Sequence, residues 1–441
     1  MSSGEAGGAA ADIVVVGAGA AGLFAGVWAG RALRAGNHAG RVVALDGAKK
    51  LGAKVLVAGG GRCNVTHHRV DENAYAGSSR HAIRNVLGRF DVARTVEFFR
   101  EQGVEFKQEE TGKLFPVSDD AHSVLNALLG AAHGAGVELV HPWRVEAVRR
   151  VGGGGFEIVE RAAPGQMPRR IVAARVILAT GGLALPKTGS DGAGYEMARS
   201  LGHTTTARVF PALVPLLLPQ GHWVCGLTGL TTNATLSVRV GAKSLASFTN
   251  SLLCTHFGLS GPAALDVSRY YLAQQVEKTE TGETAGPPAA KLEINWAPAQ
   301  TFESLDAELA RGGRQSVARA LAAAGLADRL ARALCEASRV DPGASLHTLA
   351  RDARRTLAAN VTQFEVPVIG DRGFTFAEVT AGGVPLGEVH LGTMESRVCP
   401  GLHLCGEILD VDGRIGGFNF QWAWATGFVA GSAAARGISG P

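Results

Sequence analysis

The sequence predicts an α/β fold. A Rossmann-type strand–turn–helix unit is built from the two ends of the chain, with a β-rich and helical unit inserted between them. Three observations predict it. Residues 12–46, DIVVVGAGAAGLFAGVWAGRALRAGNHAGRVVALD, read as strand, glycine turn, helix and strand. The closing stretch 401–431 repeats that order, with an apolar strand, a glycine-rich loop and a glycine-spaced helix. Between them, alternation of the TLSVRVGAKSLASF kind gives way after residue 302 to segments rich in Ala, Leu and Arg.

Ile13–Val16 is an apolar, β-branched run, the pattern of a strand buried on both faces. Gly17, Gly19 and Gly22 then match G-x-G-x-x-G. Gly17 lets the chain turn out of the strand, Gly19 leaves room for a pyrophosphate at the backbone, and Gly22 lets helix and strand pack closely. The helix start offers N–H groups and positive dipole to phosphates. Val42–Leu45 is a second strand, and Asp46 at its end lies 29 residues after Gly17, where a carboxylate can accept from ribose hydroxyls. An acid there favours a free 2′-OH, as in FAD or NAD. The uncharged run Ile13–Gly30 would pass a hydropathy window for a membrane span, but it is rich in glycine and begins as a strand, so no membrane span is expected.

At 441 residues the chain predicts two or three domains. A composition of 46% hydrophobic and 19% charged residues with net charge +4 is that of a globular protein, and the mild basicity does not by itself imply nucleic acid. Cysteines at 63, 225, 254, 335, 399 and 405 form no C-x-x-C. They suit a reducing cytoplasm better than a disulfide framework, and no metal site is expected. Residues 1–11 are small and polar, carry no signal-peptide pattern and read as a disordered leader.

Further along, Gly59-Gly60-Gly61 with Arg62, Cys63, Asn64 and Thr66 reads as a loop wrapping a cofactor. Residues 80–135 read as helical, with Gly103 closing one helix and Ser118 capping the next; His122 and His133 read as ordinary surface or packing residues. Val137–Val140, Arg144–Arg149 and Phe156–Glu160 are strand-like, with a hairpin turn at 152–155, and Arg175–Ala179 leads into Thr180-Gly181-Gly182. Residues 281–291 read as a mobile surface loop. The arginines of 302–360 read as a solvated helix surface, with an RNA-binding face as the alternative. Gly416-Gly417 before the last helix form a second cradle for phosphate or carbonyl groups, so both ends of the chain are expected to meet at one site.

The motifs VVVGAGAAGL (14–23), GGGRCNVT (59–66), LFPVSDDA (114–121), ILATGG (177–182), PKTGSDGAGYEMARSLGH (186–203), THFGLSGP (255–262), FAEVTAGGV (376–384) and GLHLCGEILDVDGRIGGFNFQWAWATGFVAG (401–431) span nearly the whole chain in order. Together they resemble the YhiN/BaiN-like family of FAD-dependent oxidoreductases, the aminoacetone-oxidase-family flavoenzymes. One departure is Asp46, where the family usually has Glu. The resemblance implies a glutathione-reductase-type FAD-binding domain from 12–204 and 366–441, and an inserted substrate or cap domain at 205–365. It implies that Gly17, Gly19, Ala20 and Gly22 hold the pyrophosphate, Asp46 the adenosine ribose, and Val145 the adenine through its backbone. Gly60, Gly61, Arg62, Cys63 and Asn64 would line the flavin, with Thr180 and Gly181 in the same set. Gly406, Glu407, Gly416, Gly417, Asn419 and Gln421 would contact ribityl, pyrophosphate and flavin ring.

Activities that the resemblance implies are reduction of a conjugated C=C bond of a small molecule, reduction of a ribosomal RNA uridine to dihydrouridine, or oxidation of a small amine. FAD is expected to be non-covalent. No second G-x-G-x-x-G unit follows a strand in mid-chain, so NAD(P)H, if it is the reductant, would reach the flavin through the substrate cleft. Two residues are candidate catalytic groups: Cys63 in the flavin loop as an acid and His256 within THFGLSGP as an acid or base. The sequence leaves substrate and oligomeric state open.

Overall fold

The structure, a computed structural model, describes residues 9–280 and 290–439. The chain divides into two compact units, one of residues 1–211 with 379–441 and one of 212–378.

The first unit is built on a parallel sheet. β1 (Ala9–Val16) is its centre, because its alternating partners are both covered and every residue from Ile13 to Val16 is buried. β1 pairs on one side with β2 (Val42–Leu45), which pairs with β3 (Val137–Val140). A meander of β4 (Val145–Arg150) and β5 (Phe156–Glu160) leads antiparallel into β6 (Arg170–Leu178). β6 pairs with the other side of β1, and β7 (Leu402–Leu404) pairs with β6. The spatial order β7-β6-β1-β2-β3 reverses at β1, which opens a crevice at the carboxyl ends of the strands, where ligands of such sheets bind.

Helix α1 (Ala20–Ala35) follows β1 directly, α2 (Ala121–Gly134) precedes β3, and α3 (Phe418–Ser439) closes the chain. α1 is buried on nearly all sides, which accounts for its membrane-like hydropathy. No helix among the described residues is long and apolar enough to cross a membrane. α1 and α3 cross at close range. A Cβ at Gly427 would stand 2.8 Å from the Ala21 carbonyl oxygen, and one at Gly431 would stand 2.1 Å from that of Ala25. Phe24, Trp28, Phe90, Phe98, Trp424 and Phe428 interlock around the crossing, mostly edge to face.

The second unit is an antiparallel sheet of seven strands in the order Phe364–Val366, Lys291–Asn295, Thr231–Val240, Lys243–Thr255, Gly258–Ser260, Leu216–Leu217, Gly370–Asp371. The hairpin of Thr231–Val240 and Lys243–Thr255 explains the alternation in its sequence: Ala234, Leu236, Val238, Leu252 and Cys254 are buried, while Thr235–Thr249 and Ser237–Ser247 pair their hydroxyls on the other face. Helices Phe302–Ala310, Val317–Ala323, Asp328–Ala337 and Arg351–Thr362 follow, the first opened by a Thr301–Ser304 capping box.

Several expectations are corrected. Ala9–Ala11, assigned to a leader, pair with Ile171–Ala173 and extend β1. Residues 366–378, placed with the closing segment, belong to the second unit, because Gly370–Asp371 complete its sheet beside Leu216–Leu217; residues 205–211 belong to the first. The helical reading of 80–135 is broken by strands Phe106–Gln108 and Lys113–Pro116. The cap of α2 is Asp120, which accepts from the His122 N–H; Ser118 bonds Ser123 instead. The loop expected at 281–291 falls mostly outside the described residues.

Candidate functional site

Four segments emerge side by side at the carboxyl ends of neighbouring parallel strands: the glycine turn after β1, Asp46 after β2, Thr180-Gly181 after β6 and Gly406-Glu407 after β7. Gly17 adopts φ +96°, and a Cβ there would stand 2.6 Å from the Ala179 carbonyl oxygen. A Cβ at Gly22 would lie 1.8 Å from the Gly17 carbonyl oxygen. Gly19 differs: a Cβ there would meet nothing within 4 Å. Gly19 is also the N-cap of α1, Ala20 its first residue, and no side chain caps it, so the first-turn N–H groups face that open space.

Asp46 serves the turn as well as facing the crevice. Its Oδ2 accepts from the Ala18 N–H at 2.8 Å and its Oδ1 from the Ala48 N–H at 2.8 Å. Each oxygen keeps a further lone pair for a ligand hydroxyl. The Trp143 N–H donates to the Asp46 carbonyl at 2.7 Å, which brings the start of β4 and the buried Val145 alongside.

The GGGRCN loop holds Gly59, Gly60 and Gly61 at φ +58°, +70° and +85°, and Cys63 at +59°. Cβ atoms at Gly60 and Gly61 would meet open space or nothing nearer than 3.9 Å. The loop is pinned to α3: the Trp424 indole N–H donates to the Val65 carbonyl at 2.9 Å, and the Thr66 hydroxyl donates to Gln421 at 2.7 Å. Gly417, at φ +90°, lies so close to Thr66 that a Cβ would stand 2.6 Å from its backbone. Both ends of the chain therefore do meet.

Glu407 is held by both of its oxygens. Its Oε2 takes a hydrogen bond from the Lys54 ammonium at 2.6 Å, and its Oε1 takes one from the Thr380 N–H at 3.0 Å. Thr380 in turn accepts from the Leu183 and Ala184 N–H groups, fixing the turn after Gly182. Lys54, Thr380 and Tyr195 were missed by sequence reasoning. Tyr195 lies in the GSDGAGY stretch; its buried hydroxyl has no partner, and burial raises its pKa, with Glu407 and Asp410 adding to the effect.

Four predicted residues do other work with their side chains. Arg62 donates to Glu109 at 2.7 Å and lies 4.0 Å from the centre of the Phe115 ring; the Glu109 hydrogen bond raises its pKa. Cys63 has no exposed surface, and burial pushes its thiol up to about 12, the surroundings of a packing thiol. Asn419 braces the turn before α3, accepting from the Gly413 N–H and donating to the Gly413 carbonyl. Gln421 is buried and accepts from the Thr66 and Thr95 hydroxyls while donating to the Phe90 carbonyl at 2.9 Å. Gln421→Leu should therefore lower the melting temperature, at about 1–3 kcal/mol for each buried group left unpaired, with flavin per folded molecule unchanged. Flavin loss at an unchanged melting temperature would reinstate Gln421 as a cofactor contact.

His256 lies in the second unit, on the exposed turn between Lys243–Thr255 and Gly258–Ser260, with its ring edge-on to Phe257. All six cysteines are free thiols.

The residues present fit a dinucleotide. The open space at Gly19 is a cradle that a Cβ would fill. The buried Asn64 Oδ1 and Thr180 Oγ1 have no hydrogen-bond partner among the described residues, which is costly unless a ligand supplies one.

Residues 11–433 match the HI0933-like protein Rossmann domain. The chain is 35% identical over 428 residues to the 3-dehydro-bile acid delta(4,6)-reductase of Clostridium scindens, covering 96% of this chain and 99% of that protein. It is 31% identical to the ribosomal RNA dihydrouridine synthase of Escherichia coli, covering 95% and 96%. Among solved structures, 3-ketosteroid delta1-dehydrogenase from Sterolibacterium denitrificans aligns over 97% of this chain and 99% of its own at TM-score 0.52; at 13% identity this likeness concerns the fold alone. Fold and relatives define an FAD-dependent oxidoreductase. The chain belongs to the HI0933-like family.

Proposed function

We propose that the protein adds hydride and a proton across a C=C bond conjugated to a carbonyl, in a substrate still to be identified. The observation that carries this reading is the pair of full-length relatives. One is named as a delta(4,6)-reductase and the other as a dihydrouridine synthase, and saturating uridine to dihydrouridine also reduces a carbonyl-conjugated C=C. Bound FAD would supply the two-electron hydride chemistry. The chain's own residues bind and orient it. The α1 N-terminus and Gly19 take the pyrophosphate, Asp46 the ribose, and the backbone of Val145 the adenine. Gly60, Gly61, Asn64, Thr180 and Gly181 line the flavin side. Glu407 accepts from hydroxyls, with the Lys54 charge balancing its own beside the phosphates, and the Gly416-Gly417 turn and α3 N-terminus face developing negative charge. His256 is the proposed proton donor to substrate, an exposed imidazole with no hydrogen-bond partner among the described residues. NAD(P)H is the proposed reductant. The six free thiols support a cytoplasmic location.

Anaerobic mixing with NADH and with NADPH, followed by a conjugated enone, tests the reading. One nucleotide should bleach the flavin and the enone should restore its colour; an oxidised flavin that neither nucleotide bleaches would remove NAD(P)H from it. Acid precipitation should leave a yellow supernatant, since the FAD is proposed to be non-covalent; a yellow pellet after washing would show a covalent link.

A second reading, reduction of uridine in RNA, is supported by the same Escherichia coli relative. Arg311, Arg314, Arg319, Arg339 and Arg351 are exposed in the helical segment of the second unit, whereas Arg329, Arg332 and Arg354 bond within it. Co-sedimentation with ribosomal RNA that weakens steeply with salt would favour this reading.

A further inference from the structure

The second unit carries a cation held against two aromatic rings. Leu216–Leu217 pairs with Gly258–Ser260 on one side and Gly370–Asp371 on the other. This register brings Phe257 and Arg372, which flank those strands, into contact. The Arg372 guanidinium lies 4.4 Å from the centre of the Phe257 ring and 3.4 Å from that of Phe376. Among the described residues it has no hydrogen-bond or ion-pair partner. Phe376 is 44% exposed and Ile369 66% exposed, and His256 stands exposed on the same turn as Phe257.

Ring contacts use the flat face of a guanidinium and leave its edge, with N–H donors in a fork that matches carboxylate or sulfonate oxygens. The rings also limit the rotamers of Arg372, so less freedom is lost when an anion binds. An exposed aromatic ring against one unpaired cation suits a ligand with both characters. We propose that Phe257, Arg372 and Phe376 bind an apolar organic acid, with the acid group on the Arg372 edge and the apolar body against the exposed Phe376. That this ligand is the substrate rests on the function proposed above; the binding itself does not.

The holoprotein can be titrated with two fluorescent probes that share one apolar body: 8-anilino-1-naphthalenesulfonate, which carries the acid, and N-phenyl-1-naphthylamine, which does not. Arg372→Gln should weaken the sulfonate at least about tenfold and leave the neutral amine unchanged, because only the charged hydrogen bonds are lost. Phe376→Ala should weaken both. The flavin spectrum and melting temperature of each variant report its fold. Equal sulfonate affinity in Arg372→Gln and the parent, or equal losses of both probes in that variant, would overturn the site. Neither outcome touches the cofactor reading, which stands or falls on flavin content.

Discussion

Gly22→Ala should yield a chain that fails to accumulate as a folded holoprotein, while Gly19→Val should fold and purify colourless. The two glycines sit three residues apart in one motif, yet their surroundings differ completely. At residue 22 the new methyl group would meet the Gly17 carbonyl at 1.8 Å, and both partners are backbone at the centre of the main sheet. Overpacking a core costs typically about 1–3 kcal/mol even where side chains can yield, and here they cannot. At residue 19 a side chain meets no protein atom, and extended backbone angles suit valine. Only a ligand can feel it. Melting curves of the apoproteins separate the two cases. A Gly19→Val protein that keeps its flavin would remove the pyrophosphate from this turn, and a stable yellow Gly22→Ala protein would contradict the packing of α1 on β1.

Asp46→Ala should lose both cofactor and stability. Sequence reasoning assigns the carboxylate to ribose alone, which predicts weaker flavin on an intact fold. The structure adds the Ala18 and Ala48 N–H groups to its duties. One hydrogen bond to a charged acceptor contributes about 1.5–3 kcal/mol, so FAD affinity should fall roughly 10- to 150-fold. Loss of the Ala18 bond should lower the apoprotein melting temperature by roughly 3–12 °C for a unit of this size. An unchanged melting temperature would mean that the turn holds without Asp46, and an unchanged dissociation constant would take the ribose away from it.

The parts that were legible share one property: their residue types are dictated by backbone geometry or by burial. Ile13–Val16 and Gly17–Gly22 could be read because only glycine fits at 17 and 22 and only apolar residues fit in a central parallel strand. The hairpin at 231–255 could be read because its period of two follows directly from which face is covered. The bracing by Gln421 and Asn419 was not legible, because a polar residue beside a glycine loop looks the same whether its side chain faces a ligand or braces the fold. The burial of Cys63 was hidden for the same reason, since neighbouring glycines say nothing about which way a thiol points. Lys54 and Glu407 lie 353 positions apart, and no local pattern links them. The Ser118 cap was two residues early because Ser118 and Asp120 are both good caps, and the choice lies in backbone angles.

The crossing of α1 with α3 sets an order of assembly during synthesis. Residues 212–378 form a contiguous unit that can fold as soon as it leaves the ribosome. The nucleotide-binding unit cannot. β6 waits for β7 at 402–404, and α1 waits for Gly427 and Gly431, so its amino-terminal half must persist with an uncovered apolar helix until residues 402–431 have been made. A ribosome stalled near codon 400 should therefore carry one finished unit and one open half-site, sensitive to protease within α1 and unable to retain flavin.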